Sequence, residues 1–400
     1  MIPALIFAGT YLVLSAGRLP YVRIDRTGAA VVGAILMVVA GGLPLTEAYA
    51  AIDYRTIVLL FGMMILIASL RLARFFRITA RWIVARVRHP AAIVFAVVFA
   101  SGILSGLFVN DTICLVFTPI LIEVAEARGQ KPVPLLLALA TASNIGSVAT
   151  MTGNPQNMLI GSMSRIGYVP FARTLTPVAL VGLLLDALLI YVIFRADLHA
   201  TQISAPVRRI HPVHRGLMAK TLAVAAGVMA GFLAGLEPAL VSAAAAAVLL
   251  VSRTVNPQKF YRGVDWDLLM LFIGLFVVVA GIERAGIDDV IFAWLAPVGI
   301  ATIGGLTVVA AVLSNVISNV PAVMLFTRLV PSLPDPHSSW LTLAMASTLA
   351  GNLTLLGSLA NLIVLESARR RGVRLAFGDF LKVGPPVTLL TLAFGVWWLS

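Results

Sequence analysis

The chain has 400 residues, 60% of them hydrophobic and 12% charged, with a mean hydropathy of +1.01. That composition excludes a soluble protein with a charged surface and makes the lipid bilayer the solvent. The formal net charge of +12 then bears on loop orientation and not on nucleic acid, and a lone Cys114 excludes an internal disulfide and any multi-thiolate metal site.

A helix crosses the hydrocarbon in about 20 residues, so roughly ten crossings fit. The first apolar run, Ile2 to Ala16, has no basic residue before it and is expected to cross the membrane and not to be cleaved as a signal. Further crossings are expected at 28–45, 56–72, 135–160, 174–194, 218–235, 239–251, 268–284, 340–365 and 383–399. Of the 29 Lys and Arg residues, 24 fall in the gaps 17–27, 71–90, 123–132, 195–220, 252–267 and 366–382. These gaps read as cytoplasmic, which puts a multi-pass protein in the cell (inner) membrane with both termini outside. The apolar run 91–122 lies between two such gaps and must enter and leave on one side. It reads as a re-entrant hairpin turning at "LFVNDT", Leu107 to Thr112. A second hairpin is expected at 291–331, entering from the other side and turning at "SNVISNVP", Ser314 to Pro321.

With five crossings in each half, the second half starts on the opposite side from the first. The expected fold is therefore an all-α polytopic membrane protein of about ten transmembrane helices plus two re-entrant hairpins in two inverted-topology repeats. Repeat 1 spans 1–195, a cytoplasmic linker 196–217, and repeat 2 218–400. Internal similarity supports the division. "DYRTIVLLFGM" from Asp53 resembles "DWDLLMLFIGL" from Asp265, and "SGLFVN" from Ser105 matches "SNVISN" from Ser314. "SNIGSVATMTGNPQNMLI" from Ser143 pairs with "GNLTLLGSLANLIV" from Gly351, aligning Asn144 with Asn352, Gly153 with Gly357 and Asn157 with Asn361.

Gly, Pro, Asn, Ser and Thr interrupt the apolar crossings 135–160 and 340–365, and both helices are expected to break there. A broken helix offers N–H groups to anions and carbonyls to cations. Small residues also serve merely to let helices approach. Four polar segments paired by an inverted repeat argue instead for one substrate and ion site. Its candidate ligands are Ser105, Asn110, Asp111, Thr112, Asn144, Gly153, Asn154 and Asn157 in repeat 1. Repeat 2 supplies Ser314, Ser318, Asn319, Asn352, Thr354, Gly357, Ser358 and Asn361.

The "VNDT" and "SNVP" tips with "TGNPQN" and "GNLTLLGSLAN" resemble the ion transporter superfamily of arsenite permeases, sodium/proton antiporters and citrate or dicarboxylate permeases, most nearly its YbiR-like anion permeases. In the sodium-coupled dicarboxylate members each tip carries a Ser-Asn-Thr signature. Here only Asn110 and Thr112, and Ser318 and Asn319, match; Val109, Asp111 and Val320 depart, which puts a dicarboxylate in doubt. The resemblance implies transient sodium at Ser105, Asn110, Asp111, Ser314 and Asn319, no resident metal, a homodimer and, for an arsenite-type member, an ATPase subunit.

No Lys, Arg or His falls within an expected membrane core, so an anion would be neutralised by helix N-termini and co-bound cations, or the substrate is a neutral oxyacid such as arsenous acid. Two acids are membrane-buried, Asp111 and Asp186, each costing about 2.5–3.5 kcal/mol to insert. Asp186 is open to two readings, a structural hydrogen bond to a neighbouring helix or a functional group. The leading expectation is a secondary transporter of a small anion working by alternating access with sodium or a proton as coupling ion and no cofactor. An arsenite or antimonite extrusion permease and a sodium/proton antiporter are the alternatives. An intramembrane aspartyl protease needs two converging carboxylates, for which "VND" and "LLD" are the wrong contexts, so no enzyme is expected.

Overall fold

The computed structural model describes residues 1–17, 24–87, 89–198, 215–251 and 255–400. Most of the expected linker 196–217, with His199, His211 and His214, lies outside the described residues. Every regular element among the described residues is helical, which is how a chain in hydrocarbon satisfies its backbone without water.

The first half runs through α1 (Ile2–Ala16), α2 (Arg26–Val39), α3 (Leu45–Ala51), α4 (Tyr54–Leu72) and α5 (Phe75–Arg86). It continues with α6 (Pro90–Leu107), α7 (Asn110–Ala127), α8 (Val133–Ser147), a 3-10 turn at Met151–Gly153, α9 (Pro155–Ser164) and α10 (Tyr168–Phe194). The second half comprises α11 (Arg215–Leu233), α12 (Pro238–Leu250), α13 (Pro257–Tyr261), α14 (Trp266–Arg284), α15 (Ile287–Leu295), α16 (Ile303–Ile317) and α17 (Asn319–Leu329). It ends with α18 (Pro336–Leu349), a 3-10 turn at Ala350–Asn352, α19 (Leu359–Arg369) and α20 (Phe377–Leu399). Of these, α4, α10, α11, α14 and α20 are long and apolar enough to cross a membrane individually. The helices α3, α5 and α13 occupy stretches that read as connections, because their charged or short sequences lack a crossing's apolar length. In α5, Arg81 reaches Glu123 of α7 at 3.3 Å and Arg86 lies over the Trp82 ring.

Local chemistry sets the helix starts. Asp53 caps α4, accepting from Arg55 N at 3.3 Å and the Thr56 hydroxyl at 2.5 Å, and Asp265 caps α14 by accepting from Leu268 N at 2.9 Å. An Asp side chain at that position satisfies N–H groups that the first turn leaves open. The two repeated "Asp-aromatic" motifs are thus capping signals. The helix breaks are tighter than their polar sequences suggest. Only Phe108 and Val109 separate α6 from α7, so Asn110, Asp111 and Thr112 form the first turn of α7. Ser318 alone separates α16 from α17, at φ +80°, a conformation uncommon for a residue with a Cβ.

Helix α2 packs along α14 and α4 along α12, while α8 sits between α6, α7 and α10 and α18 lies against α16 and α20. Glycines set the closest approaches. A Cβ on Gly62 would lie 2.5 Å from the Ser242 backbone, one on Gly274 2.7 Å from the Ala30 backbone, and one on Gly146 2.0 Å from Gly102 O. Gly146→Ala is therefore expected to force α6 and α8 apart at a cost of about 1–3 kcal/mol, read as a lower melting temperature of the detergent-purified protein. Gly216→Ala, with nothing within 4 Å of the new Cβ, should leave it unchanged.

Candidate functional site

The two interrupted crossings meet at Asn144, in the last turn of α8. Its amide Nδ2 donates to Asn352 Oδ1 at 2.8 Å and to Asn361 Oδ1 at 3.2 Å. Its Oδ1 accepts from Asn110 Nδ2 at 3.0 Å and from Ser358 Oγ at 2.9 Å. Two donors and two acceptors exhaust what one carboxamide offers. One buried side chain thus joins the tip of the first hairpin to the break in the opposite half, and Asn352 Nδ2 returns to Thr141 O at 3.0 Å.

Each break is closed by its own asparagine. Asn157 Nδ2 donates to Ser147 O and Thr150 O, both at 3.1 Å, and Asn361 Nδ2 donates to Gly351 O at 2.8 Å and Thr354 O at 3.4 Å. These bonds occupy carbonyls that the interrupted helices leave open. Asn154 caps α9 through Asn157 N at 2.8 Å, and Ser358 caps α19 through Ala360 N at 3.2 Å. Thr354 donates to Asn315 Oδ1 at 3.1 Å, and Asn315 Nδ2 donates to Ala350 O at 2.8 Å. Gly153 and Gly357 are steric necessities: a Cβ would stand 2.2 Å from Ser147 O and 2.6 Å from Asn315 Oδ1.

A cavity of about 260 Å³ opens between the two hairpin tips, lined by Asn110, Asp111, Ser318, Asn319 and Ser358 among the candidates. The first residues of α7, α9, α17 and α19, namely Asn110, Pro155, Asn319 and Leu359, all lie on its wall. Four helix N-termini thus converge on one space, each carrying the positive end of a helix dipole. An adjoining cavity of about 180 Å³ shares Asp111, Pro155, Asp265, Leu268 and Leu359 and adds Thr112. Ser105 and Ser314 line neither cavity, and the other candidates, Asn144, Gly153, Asn154, Asn157, Asn352, Thr354, Gly357 and Asn361, stand behind this wall and hold its shape through the bonds and close approaches described above.

Four candidate oxygens differ from the rest. Ser105 Oγ, Asn110 Oδ1, Ser314 Oγ and Asn319 Oδ1 are buried without a hydrogen-bond partner. They fall in two equivalent pairs, one from each hairpin. Buried polar atoms are nearly always paired, so a matched set of unpaired acceptors invites a bound cation or a polar solute. Among the described residues no group of three or more His, Cys, Asp or Glu is placed to hold a metal ion.

Several cavity residues escape sequence reasoning. Arg26, Thr27, Gln156, Asp265 and Asp267 share the wall with Asp111. Arg26 belongs to a basic gap and reads there as a topology marker, yet it is partly buried and makes no ion pair among the described residues. Burial lowers its pKa from the ordinary value. The one available signal was the repeat of Asp53 at Asp265, which marks the residue without showing that it faces the cavity. The other intramembrane acid, Asp186, lies outside both cavities and contacts Thr141 of α8.

Comparison with known proteins agrees with this architecture. The citrate transporter family model matches residues 10–350. The silicon efflux transporter LSI3 of rice is 31% identical, with 94% of this chain and 93% of LSI3 covered, and the inner membrane protein YbiR of Escherichia coli is 31% identical over 81% of this chain and 82% of its own. In fold, the YdaH transporter of Alcanivorax borkumensis superposes with a TM-score of 0.64 at 18% identity, covering 100% of this chain and 98% of the other. LSI3 and YdaH are transporters by name and YbiR an inner membrane protein, and the chain belongs to the citrate transporter family, whose members are integral membrane transporters and not enzymes.

Proposed function

We propose that the protein is a secondary transporter that carries a small hydroxyl-rich oxyacid, of the arsenous or silicic acid type, by cation-coupled alternating access. The observation that carries this reading is the mixed character of one wall: four helix N-termini and Arg26 face the same cavity as Asp111, Asp265 and Asp267. N–H groups suit the oxygens of such a solute, and carboxylates suit its hydroxyl hydrogens. A tricarboxylate such as citrate offers no comparable set of hydrogens and meets three like charges, each repelling more strongly in a cavity than in water. The rice relative, 31% identical along 94% of the chain, is named for silicon efflux.

The inverted-repeat scheme is supported by packing that recurs between the halves. Helix α2 pairs with α14 as α12 does with α4, and α7 packs on α19 as α17 does on α9. By the basic-residue count, the cavity end at Arg26 and Asp265 is cytoplasmic, so this conformation opens inward and is ready to load from the cell interior. The four unpartnered oxygens of the hairpins, with Asp111, are the proposed coupling site for sodium or a proton.

A second reading, a small anion, is favoured by the same helix N-termini and by Arg26, which makes no ion pair among the described residues. Exchange in proteoliposomes separates the two. Arsenite and silicic acid are expected to exchange and to compete with each other, while citrate, succinate, phosphate and sulfate do not inhibit. Citrate or phosphate exchange without arsenite or silicic acid exchange would establish the anion reading. Sodium/proton exchange with no solute present would establish an antiporter.

A further inference from the structure

Asp186 is fully buried in the middle of α10, away from the cavity, in a helix that packs on α6, α8 and α20. Its two carboxyl oxygens lie 2.8 and 2.9 Å from a single hydroxyl, Thr141 Oγ1 of α8, which also lies 2.8 Å from Leu137 O. A hydroxyl has one hydrogen, so it cannot serve the carbonyl and a carboxylate together. A proton on Asp186 serves both partners of this hydroxyl: the Asp186 O–H donates to Thr141 Oγ1, Thr141 O–H donates to Leu137 O, and the second carboxyl oxygen is left uncharged beside them. An ionised Asp186 would be a buried charge with at most one donor, an arrangement that costs several kcal/mol.

The surroundings offer no other compensation. Helices α6 and α8 carry no Lys, Arg, His, Asp or Glu apart from what lies at their neighbours' ends. The charged residues of the other elements on α10 lie toward their first turns: Arg215 and Lys220 on α11, His337 on α18, Asp379 and Lys382 on α20, with Arg173 on α10 itself. No ion pair among the described residues includes Asp186.

The same Thr141 bears directly on the site. Its carbonyl accepts from Asn352 Nδ2 at 3.0 Å, and Asn144 follows it one turn later on α8. We propose that Asp186 is a proton-carrying site of the transport cycle, separate from the cavity, which keeps its proton while α8 and α10 are packed as here and gives it up when their contact opens. On release the Asp186 O–H bond breaks, the proton passes to an admitted water, and Thr141 turns its hydrogen from Leu137 O to the carboxylate. Proton occupancy is thereby linked to the position of α8, and through Asn352 and Asn144 to both hairpins. The place of this proton in a cycle rests on the transport reading; the protonation itself does not.

Infrared spectroscopy of the purified full chain, with H2O-to-D2O exchange, tests the proton without any substrate. A protonated-carboxyl C=O band is expected in the wild type and in Asp111→Asn, is expected to be lost when Asp186→Asn is added to Asp111→Asn, and is expected to shift in Thr141→Val. In proteoliposomes with arsenite as the probe, Asp186→Asn is expected to flatten the pH profile of exchange. A band indifferent to both substitutions overturns the proposal, as does an unchanged pH profile in Asp186→Asn. If Asp186→Asn does not fold, Thr141→Val decides: a shifted band supports the proposal and an unshifted one overturns it. If the wild type moves no arsenite, the oxyacid reading falls, and the band still decides whether Asp186 holds the proton.

Discussion

Asp111→Asn is expected to leave solute exchange measurable and to abolish accumulation against a gradient. Asp111 stands in the first turn of α7, on the wall of both cavities, between Asn110 and Thr112. An amide of the same shape can still accept and donate hydrogen bonds to an oxyacid. It can neither bind a proton at neutral pH nor offer a charged oxygen to sodium. With one cation coupled per solute, a tenfold cation gradient supplies about 1.4 kcal/mol and sustains about tenfold accumulation. The variant should fall to no accumulation under the same gradient while exchange at equal concentrations persists. The measurement is proteoliposome transport of arsenite or silicic acid under imposed sodium or proton gradients. If Asp111→Asn concentrates solute at the wild-type rate, Asp111 is a capping residue and coupling lies elsewhere. Asp265 shares the wall, so Asp265→Asn is the matched control for a general loss of negative charge.

How far this site was legible in the sequence follows from what kind of signal each residue leaves. Asn110, Asn144, Asn319 and Asn352 stand out because a polar group in an apolar run has no local reason to be there. Self-similarity paired Asn144 with Asn352, and the two are in direct contact at 2.8 Å. The distinction between ligands and supports was not legible. Asn157 and Asn361 share the character of Asn110, but their amides are consumed by the carbonyls of broken helices, a fact of backbone geometry. The far wall was hidden for a different reason. Arg26, Asp265 and Asp267 sit at the ends of crossings, where charge is ordinary, and only packing of α2 along α14 brings them to the hairpin tips. Likewise α5 was invisible as a helix because its three arginines, Arg77, Arg81 and Arg86, with Arg71 and Arg74 just before it, dominate any hydropathy window. Asp186 was conspicuous, but its partner Thr141 lies 45 residues away on another helix.

The division between supports and ligands makes Asn144 the residue whose loss should matter most to structure and transport together. Its four hydrogen bonds connect α7, α8, the turn before α19 and α19 itself. Truncation to Ala strands the Asn110 amide, the Ser358 hydroxyl and the oxygens of Asn352 and Asn361. A buried polar group left unpaired costs about 1–3 kcal/mol, and water entering the new space can serve some of the four but not hold the two halves together. Asn144→Asp is no rescue, because a carboxylate accepts from Asn110 and Ser358 but has nothing to donate to the oxygens of Asn352 and Asn361. Both variants are therefore expected to lose transport and to melt at lower temperature in detergent. Asn319→Ala provides the contrast. The Asn319 Oδ1 has no partner to strand, so this variant should lose transport with its melting temperature nearly unchanged. A stable, inactive Asn319→Ala with an unstable, inactive Asn144→Ala places the ligand at the tip and the support behind it. A fully active Asn319→Ala would instead make the second hairpin a packing element, and a fully active Asn144→Ala would mean that the contact between the two halves is dispensable for transport.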